Sequence, residues 1–195
     1  MPIGSAGADP RRRLLEAMVA ALRAGPYDEV TVADVVRRAQ VSRRTFYEHF
    51  DDRHACLEAV LEESSTAIMA TVVEAVDTAA PWQEQVLQAV DAWVSAMRRD
   101  PAVTLCWIRV VPALGERGRR FDRVVTGRYA ELIRTLVDRP ETRAQGLGNV
   151  SGATITLLVG GLRELVAVTV EDGGDLDTVA GVAARTFVRV LTPPT

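Results

Sequence analysis

Apolar positions recur at helical spacing along nearly the whole of this chain. Leu14, Leu15, Met18, Ala21 and Leu22 follow the i, i+3, i+4, i+7 pattern of an amphipathic helix, and Gly25-Pro26 stops it. Asp9-Pro10 ahead of them reads as an N-cap followed by a first-turn proline. Val32, Val35, Val36 and Ala39 predict a second, short helix, opened by Thr31 and Asp34 in the manner of a capping box. Ser42 is a good N-cap for a third, very short one, in which Val41, Phe46 and Phe50 can face inward. A long helix follows, capped by Asp51 or Asp52 and carrying Leu57, Val60, Leu61, Ile68, Val72, Val73 and Val76. From Asp52 to Ala79 it would span roughly 40 Å.

The second half continues in the same register. Pro81 opens a helix bearing Val86, Leu87, Val90, Trp93, Val94 and Met97, and Asp100-Pro101 restarts a shorter one that Pro112 and Gly115 break. After a polar loop at Gly115–Arg120, the run from Phe121 through Val125, Tyr129 and Ile133 to Leu136 predicts a further helix. A polar connector covers Glu141–Asn149, and two final helices cover Val150–Val170 and Leu176–Leu191. No strand pattern competes, so the expected fold class is all-α. Met1–Ala8, rich in Gly and Ala, is expected to be a disordered arm.

Composition narrows the reading. The 195 residues carry a net charge of −3, which argues against a general binder of polyanions. Residues 1–57 hold nine Arg against eight acids, and residues 58–195 fourteen Arg against eighteen, so the first part is +1 and the rest −4. Cys56 and Cys106 make neither a disulfide framework nor a metal cluster and read as buried thiols. No metal or cofactor is expected. Val150–Leu162, the longest weakly polar run, is too short to span a bilayer, and the N-terminus has no signal-peptide pattern. A cytoplasmic protein without membrane contact is expected.

Arg43 and Arg44 stand at the start of the third helix, where the helix dipole favours anions. They are better explained by an external anion, and a DNA phosphate or a guanine edge suits a guanidinium. Val41-Ser42-x-x-Thr45-Phe46-Tyr47-x-His49-Phe50-x-Asp52-x resembles the helix-turn-helix signature of the TetR family of bacterial transcriptional regulators. The specific resemblance covers about residues 9–57. It implies a helix-turn-helix DNA-binding domain over 9–51 and a helical regulatory and dimerisation domain over 52–195. Carried over by position, Thr31 and Thr45 would bond phosphate, Ser42 would cap the reading helix, and Tyr47 and His49 would lie along the backbone. Arg43 and Arg44 would reach base edges or phosphates, and Arg53 stands where the family commonly has Lys. Arg44 departs from the pattern, since many members have Gly there, so no operator sequence carries over. Arg11, Arg12 and Arg13 in the first turn are either phosphate contacts or solvated, and Arg37 and Arg38 read as a solvated face.

In a TetR-like layout the larger half encloses an effector cavity. Trp93, Met97, Trp107, Phe121 and Tyr129 are candidates for its lining, against the duller reading that they are core. Arg109 or Arg128 could meet an anionic group, though no spacing singles one out. Gly160 and Gly161, with the small and apolar residues of the last two helices, suit a two-fold four-helix interface. Both histidines, His49 and His54, belong to the first half, which leaves the larger half without a base for a Ser or Cys triad. The expectation is a homodimeric, non-enzymatic regulator of transcription, most simply a repressor released from a palindromic operator on double-stranded DNA by a small apolar or aromatic effector. The alternative is a helical ligand-binding or protein-interaction dimer whose DNA-reading module is vestigial.

Overall fold

The computed structural model describes residues 9–147 and 150–192. The expected arm at 1–8 and the end of the expected connector, 148–149, lie outside the described residues. The helices are α1 (Pro10–Ala24), α2 (Val32–Ala39), α3 (Arg43–His49), α4 (Arg53–Ala75), α5 (Trp82–Arg99), α6 (Pro101–Leu105), α7 (Val111–Ala113), α8 (Gly115–Val137), α9 (Pro140–Ala144), α10 (Gly152–Glu171) and α11 (Leu176–Leu191). A 3-10 turn occupies Tyr27–Glu29, and a π-helical turn at Cys106–Val110 joins α6 to α7. Among the described residues there is no strand, so the all-α expectation holds. The chain divides into two compact units between Ser64 and Ser65, inside α4. The division expected between residues 51 and 52 lies at the beginning of that helix.

The first unit is closed by the residues whose spacing predicted it. Leu14 and Met18 of α1, Val35 of α2, Phe46 of α3 and Cys56 and Leu57 of α4 are all completely buried. Local hydrogen bonds fix the helix starts. Asp9 accepts from the Arg11 amide at 3.1 Å ahead of Pro10. Thr31 Oγ1 accepts from the Asp34 amide at 3.1 Å, and Asp34 Oδ2 accepts in return from the Thr31 amide at 3.2 Å. The predicted capping box is therefore complete. Asp52, rather than Asp51, starts α4 by accepting from the Ala55 amide at 2.7 Å.

That long helix ends at Ala75, short of the expected Ala79. Asp77 explains the difference. Its carboxylate accepts from the Ala79 amide at 2.9 Å while its own amide donates to Gln88 Oε1 at 2.8 Å, a local arrangement that competes with helix continuation.

In the second unit α11 packs against α5 and α10, and α10 against α8. Its core includes Val94, Met97, Val111, Val125, Ile155 and Val166. Pro112 does not break the helix before it, contrary to expectation. The π-helical turn widens the backbone just ahead, with the Val111 amide donating to the Cys106 carbonyl, and the chain stays helical to Ala113. Gly115, at φ +64°, makes the break. The expected polar loop at Gly115–Arg120 is instead the first turns of α8. Gly118 is the reason: it is buried so closely against α7 that an added Cβ would lie 1.9 Å from the Val111 carbonyl oxygen. A glycine read as loop is in fact a packing site.

The expected connector contains α9, where the Thr142 hydroxyl donates to the carbonyls of Val137 (2.7 Å) and Arg139 (2.8 Å). The last two helices fall close to expectation. However, α10 continues past Arg163 to Glu171 and is long and apolar enough, by length and composition, to cross a membrane. Its two mid-helix charges are paired, Arg163 with Asp122 at 2.9 Å and Glu164 with Arg109 at 2.7 Å. Among the described residues, nothing beyond α10's own backbone stands within 4 Å of a Cβ added at Gly160 or Gly161, so these glycines serve no close approach there.

Candidate nucleic-acid interface and apolar cavity

The third helix divides its side chains sharply. Phe46 and Phe50 are buried against one another at 5.8 Å between ring centroids, as their spacing predicted. Arg43, Arg44, Tyr47 and His49 are exposed, and Tyr47 remains 54% accessible with its ring edge-on to Phe46. Ser42 Oγ accepts from the Thr45 amide at 3.0 Å, and the Ser42 and Thr45 hydroxyls are 2.9 Å apart. Arg44 Nε reaches Glu48 at 3.0 Å, one turn on along the same exposed surface. Such an exposed ion pair contributes little stability and can be exchanged for another anion. Among the described residues Arg43 has no ion-pair partner.

Other arginines that the sequence marked for phosphate have internal partners. Arg13 Nη2 donates to the Gln40 carbonyl at 2.8 Å. Gln40 is the one described non-glycine residue with positive φ, 53°, and its left-handed turn separates α2 from α3. Arg11 pairs with Glu63 at 2.6 Å and lies over the Phe50 ring. Arg53 Nη1 donates to the carbonyls of Val30 (2.5 Å), Asp28 (3.2 Å) and Tyr27 (3.3 Å), and its guanidinium sits 4.8 Å over the Tyr27 ring. The Tyr27 hydroxyl and His54 Nδ1 are 2.9 Å apart. Arg53, Tyr27 and His54 thus form a clasp between the 3-10 turn and the first turn of α4. Sequence reasoning missed it, because nothing local marks the carbonyls of residues 27–30 as acceptors. Thr31 keeps an exposed position, and Asp34 is held below the usual carboxylate range, chiefly by the Thr31 hydroxyl and then by the Thr31 amide.

The second unit contains an apolar cavity of about 970 Å³, a volume that includes open solvent at its mouth. Val72 and Val76 of α4, Trp82 and Trp93 of α5, Tyr129 of α8 and Leu158 of α10 contribute to its wall. Of the five expected lining residues, Trp93 and Tyr129 are there. Met97 is buried away from the cavity, Phe121 is half-buried elsewhere, and Trp107 stacks on Tyr129 from behind at 5.8 Å. The residues missed are mostly aliphatic, and their helical spacing is the same as that of core. Arg109 is fully engaged, with its Nη1 2.7 Å from Glu164 and its Nε 2.7 Å from Glu171. Burial raises the Tyr129 hydroxyl above its ordinary pKa. Ser65 and Trp93 beside it and the Arg163 charge oppose the rise. Burial likewise pushes the Cys56 and Cys106 thiols up to about 12, which leaves both inert at neutral pH.

Residues 14–60 match the family model described as bacterial regulatory proteins, tetR family. No curated protein matches the chain in sequence. Among solved structures it is similar to the fatty acid degradation regulator FadR of Bacillus halodurans, with a TM-score of 0.79 at 14% identity, covering 94% of this chain and 96% of that one. FadR of Bacillus subtilis in complex with stearoyl-CoA gives 0.78 at 14%, with 91% and 97% covered. A tetR-family regulatory protein of Rhodococcus RHA1 gives 0.72 at 13%, with 97% and 100% covered. At these identities the structural likeness establishes the fold.

Proposed function

From a chain whose residues 14–60 match the family model of the tetR bacterial regulatory proteins, we infer a sequence-specific repressor released from a palindromic operator by a small apolar effector. The observation that carries this reading is α3 itself. It is a helix held in place by two buried phenylalanines and a serine cap, with its cations and a tyrosine turned outward. Arg43 and Arg44 are assigned to base edges or phosphates, with guanine the natural partner of a bidentate arginine. Thr31, Ser42, Thr45, Tyr47 and His49 are assigned to the phosphate backbone. Arg53 supports the interface from behind, and only those of its nitrogens not spent on residues 27–30 are offered to phosphate.

The last two helices supply the dimer contact. Leu157, Leu165 and Val168 of α10 and Val182 and Val190 of α11 are exposed beside Gly160 and Gly161, where a second copy can approach closely. Two copies would present two α3 helices to half-sites about 34–36 Å apart. Because α4 contributes to both compact units, an effector in the cavity has a covalent path to the reading helix. It can move the DNA equilibrium only as far as it prefers the non-binding state. An acyl chain, the apolar part of the stearoyl-CoA held by the Bacillus subtilis FadR, has the chemistry this lining accepts.

Selection of bound duplexes from a random pool tests the reading. Enrichment of a palindrome, with affinity falling steeply as salt rises, is expected. Absence of enrichment, from protein refolded to strip any ligand, would favour the interaction-dimer alternative.

A further inference from the structure

The first turn of α1 carries three consecutive arginines, and they divide by what they touch. Arg12 is the outward one, with 67% of its side chain exposed and Glu16 3.5 Å away. Arg13 turns inward. Its Nη2 donates to the Gln40 carbonyl at 2.8 Å, a partner 27 residues further along the chain. Arg11 pairs with Glu63 of α4 at 2.6 Å, and its guanidinium lies 5.7 Å from the centroid of the Phe50 ring.

Gln40 and Phe50 belong to the segments that flank α3. Gln40 sits in the left-handed turn between α2 and α3, at φ 53° and ψ 46°. Residues with a Cβ rarely adopt that conformation, and glutamine lacks the short side chain that helps asparagine or aspartate to do so. The turn leaves little slack. The Val41 amide donates back to the Val36 carbonyl at 3.1 Å, and Ser42 already caps α3. A change of backbone angle at Gln40 therefore swings α3 as a whole. Phe50 closes the other end, its amide donating to the Phe46 carbonyl at 2.9 Å. One arginine thus holds the turn before α3, and another lies over the ring that ends it.

A helix whose pose is fixed beforehand binds without the entropic cost of ordering it, so such contacts act on affinity through preorganisation. Phosphate contact is the other use for an arginine at this place. The two leave different marks. A lost phosphate contact lowers the slope of log affinity against log salt by about one. A lost positioning contact weakens binding and leaves that slope unchanged.

We propose that Arg13, supported by Arg11, positions α3 for DNA by holding the left-handed turn at Gln40, and contributes to affinity through that turn rather than through a phosphate. This rests on the reading of α3 as the recognition helix and names the positioning residue behind it.

The test uses the full chain and the palindrome enriched from the random pool, with affinity read by anisotropy over a series of salt concentrations. Arg13→Ala should weaken binding about tenfold at the wild-type slope, the scale of one charge-assisted hydrogen bond. Arg13→Gln removes the charge with less loss of packing, and reads the slope even where the alanine variant proves unstable. Arg11→Ala should weaken binding about threefold, again at the wild-type slope. Gln40→Gly relaxes the left-handed turn without help from the arginine. Added to Arg13→Ala, it should therefore restore affinity to within about twofold of wild type. Restoration of that kind cannot follow from a lost phosphate contact. A slope lowered by about one in Arg13→Ala or Arg13→Gln would overturn the proposal. So would wild-type affinity in Arg13→Ala, or a double variant no tighter than Arg13→Ala. Those results leave the recognition-helix reading standing. Enrichment of no duplex by the wild-type protein would remove both.

Discussion

The reading helix and the cavity wall are built from opposite uses of a helical surface. In α3 one face is buried phenylalanine and the other is exposed Arg43, Arg44, Tyr47 and His49, so packing and the proposed recognition fall to different residues. In the cavity the same side chains would do both. Trp93 and Tyr129 are buried like core, and yet they form part of the wall. The lesson is that a function on an exposed face can be altered without cost to the fold, whereas a function lodged in the interior cannot be separated from packing so cleanly.

Substitutions can break that contrast or sharpen it. Phe46→Ala should have the largest effect, lowering stability by about 3–5 kcal/mol in urea unfolding and losing DNA affinity only through the fold. Ala89→Trp, which fills the cavity, should abolish effector release while leaving operator affinity in the absence of effector intact, as read by anisotropy of a labelled duplex. If DNA binding failed together with effector binding, the two sites would not be separable. Ser42→Ala should cost about 1 kcal/mol of stability through loss of the α3 cap, with a somewhat larger loss on DNA.

The smallest effect concerns pH. Asp34 is depressed chiefly by the Thr31 hydroxyl, so its folded pKa lies below the unfolded value near 3.8. Its contribution is therefore present above that value and is lost as pH falls through the folded pKa. Thr31→Ala should move the Asp34 titration upward in NMR and shift the onset of acid loss to higher pH.

Much of the first unit was legible because its signals are local. A Ser42 cap, a Thr31–Asp34 box and Phe46 at helical spacing from Phe50 each act within a few residues, and each formed as read. Arg53 and Arg13 were not legible in the same way. Their partners are carbonyls of Tyr27, Asp28, Val30 and Gln40, which become available only once the 3-10 turn and the left-handed turn have formed. Gly118 misled because glycine permits both a loop and a close helix contact, and only the neighbouring Val111 carbonyl decides between them. The cavity was half hidden for a related reason. Val72, Val76 and Leu158 obey the spacing of core residues, and nothing in a one-dimensional pattern distinguishes an apolar wall from an apolar contact.

The central claim, that the outward face of α3 reads DNA independently of the fold, is tested most directly by Arg43→Ala on the selected duplex. Its affinity is measured beside its urea midpoint. The account predicts a loss of about 1–3 kcal/mol in specific binding, roughly five- to 150-fold, with an unchanged midpoint. Wild-type affinity in this variant would contradict it.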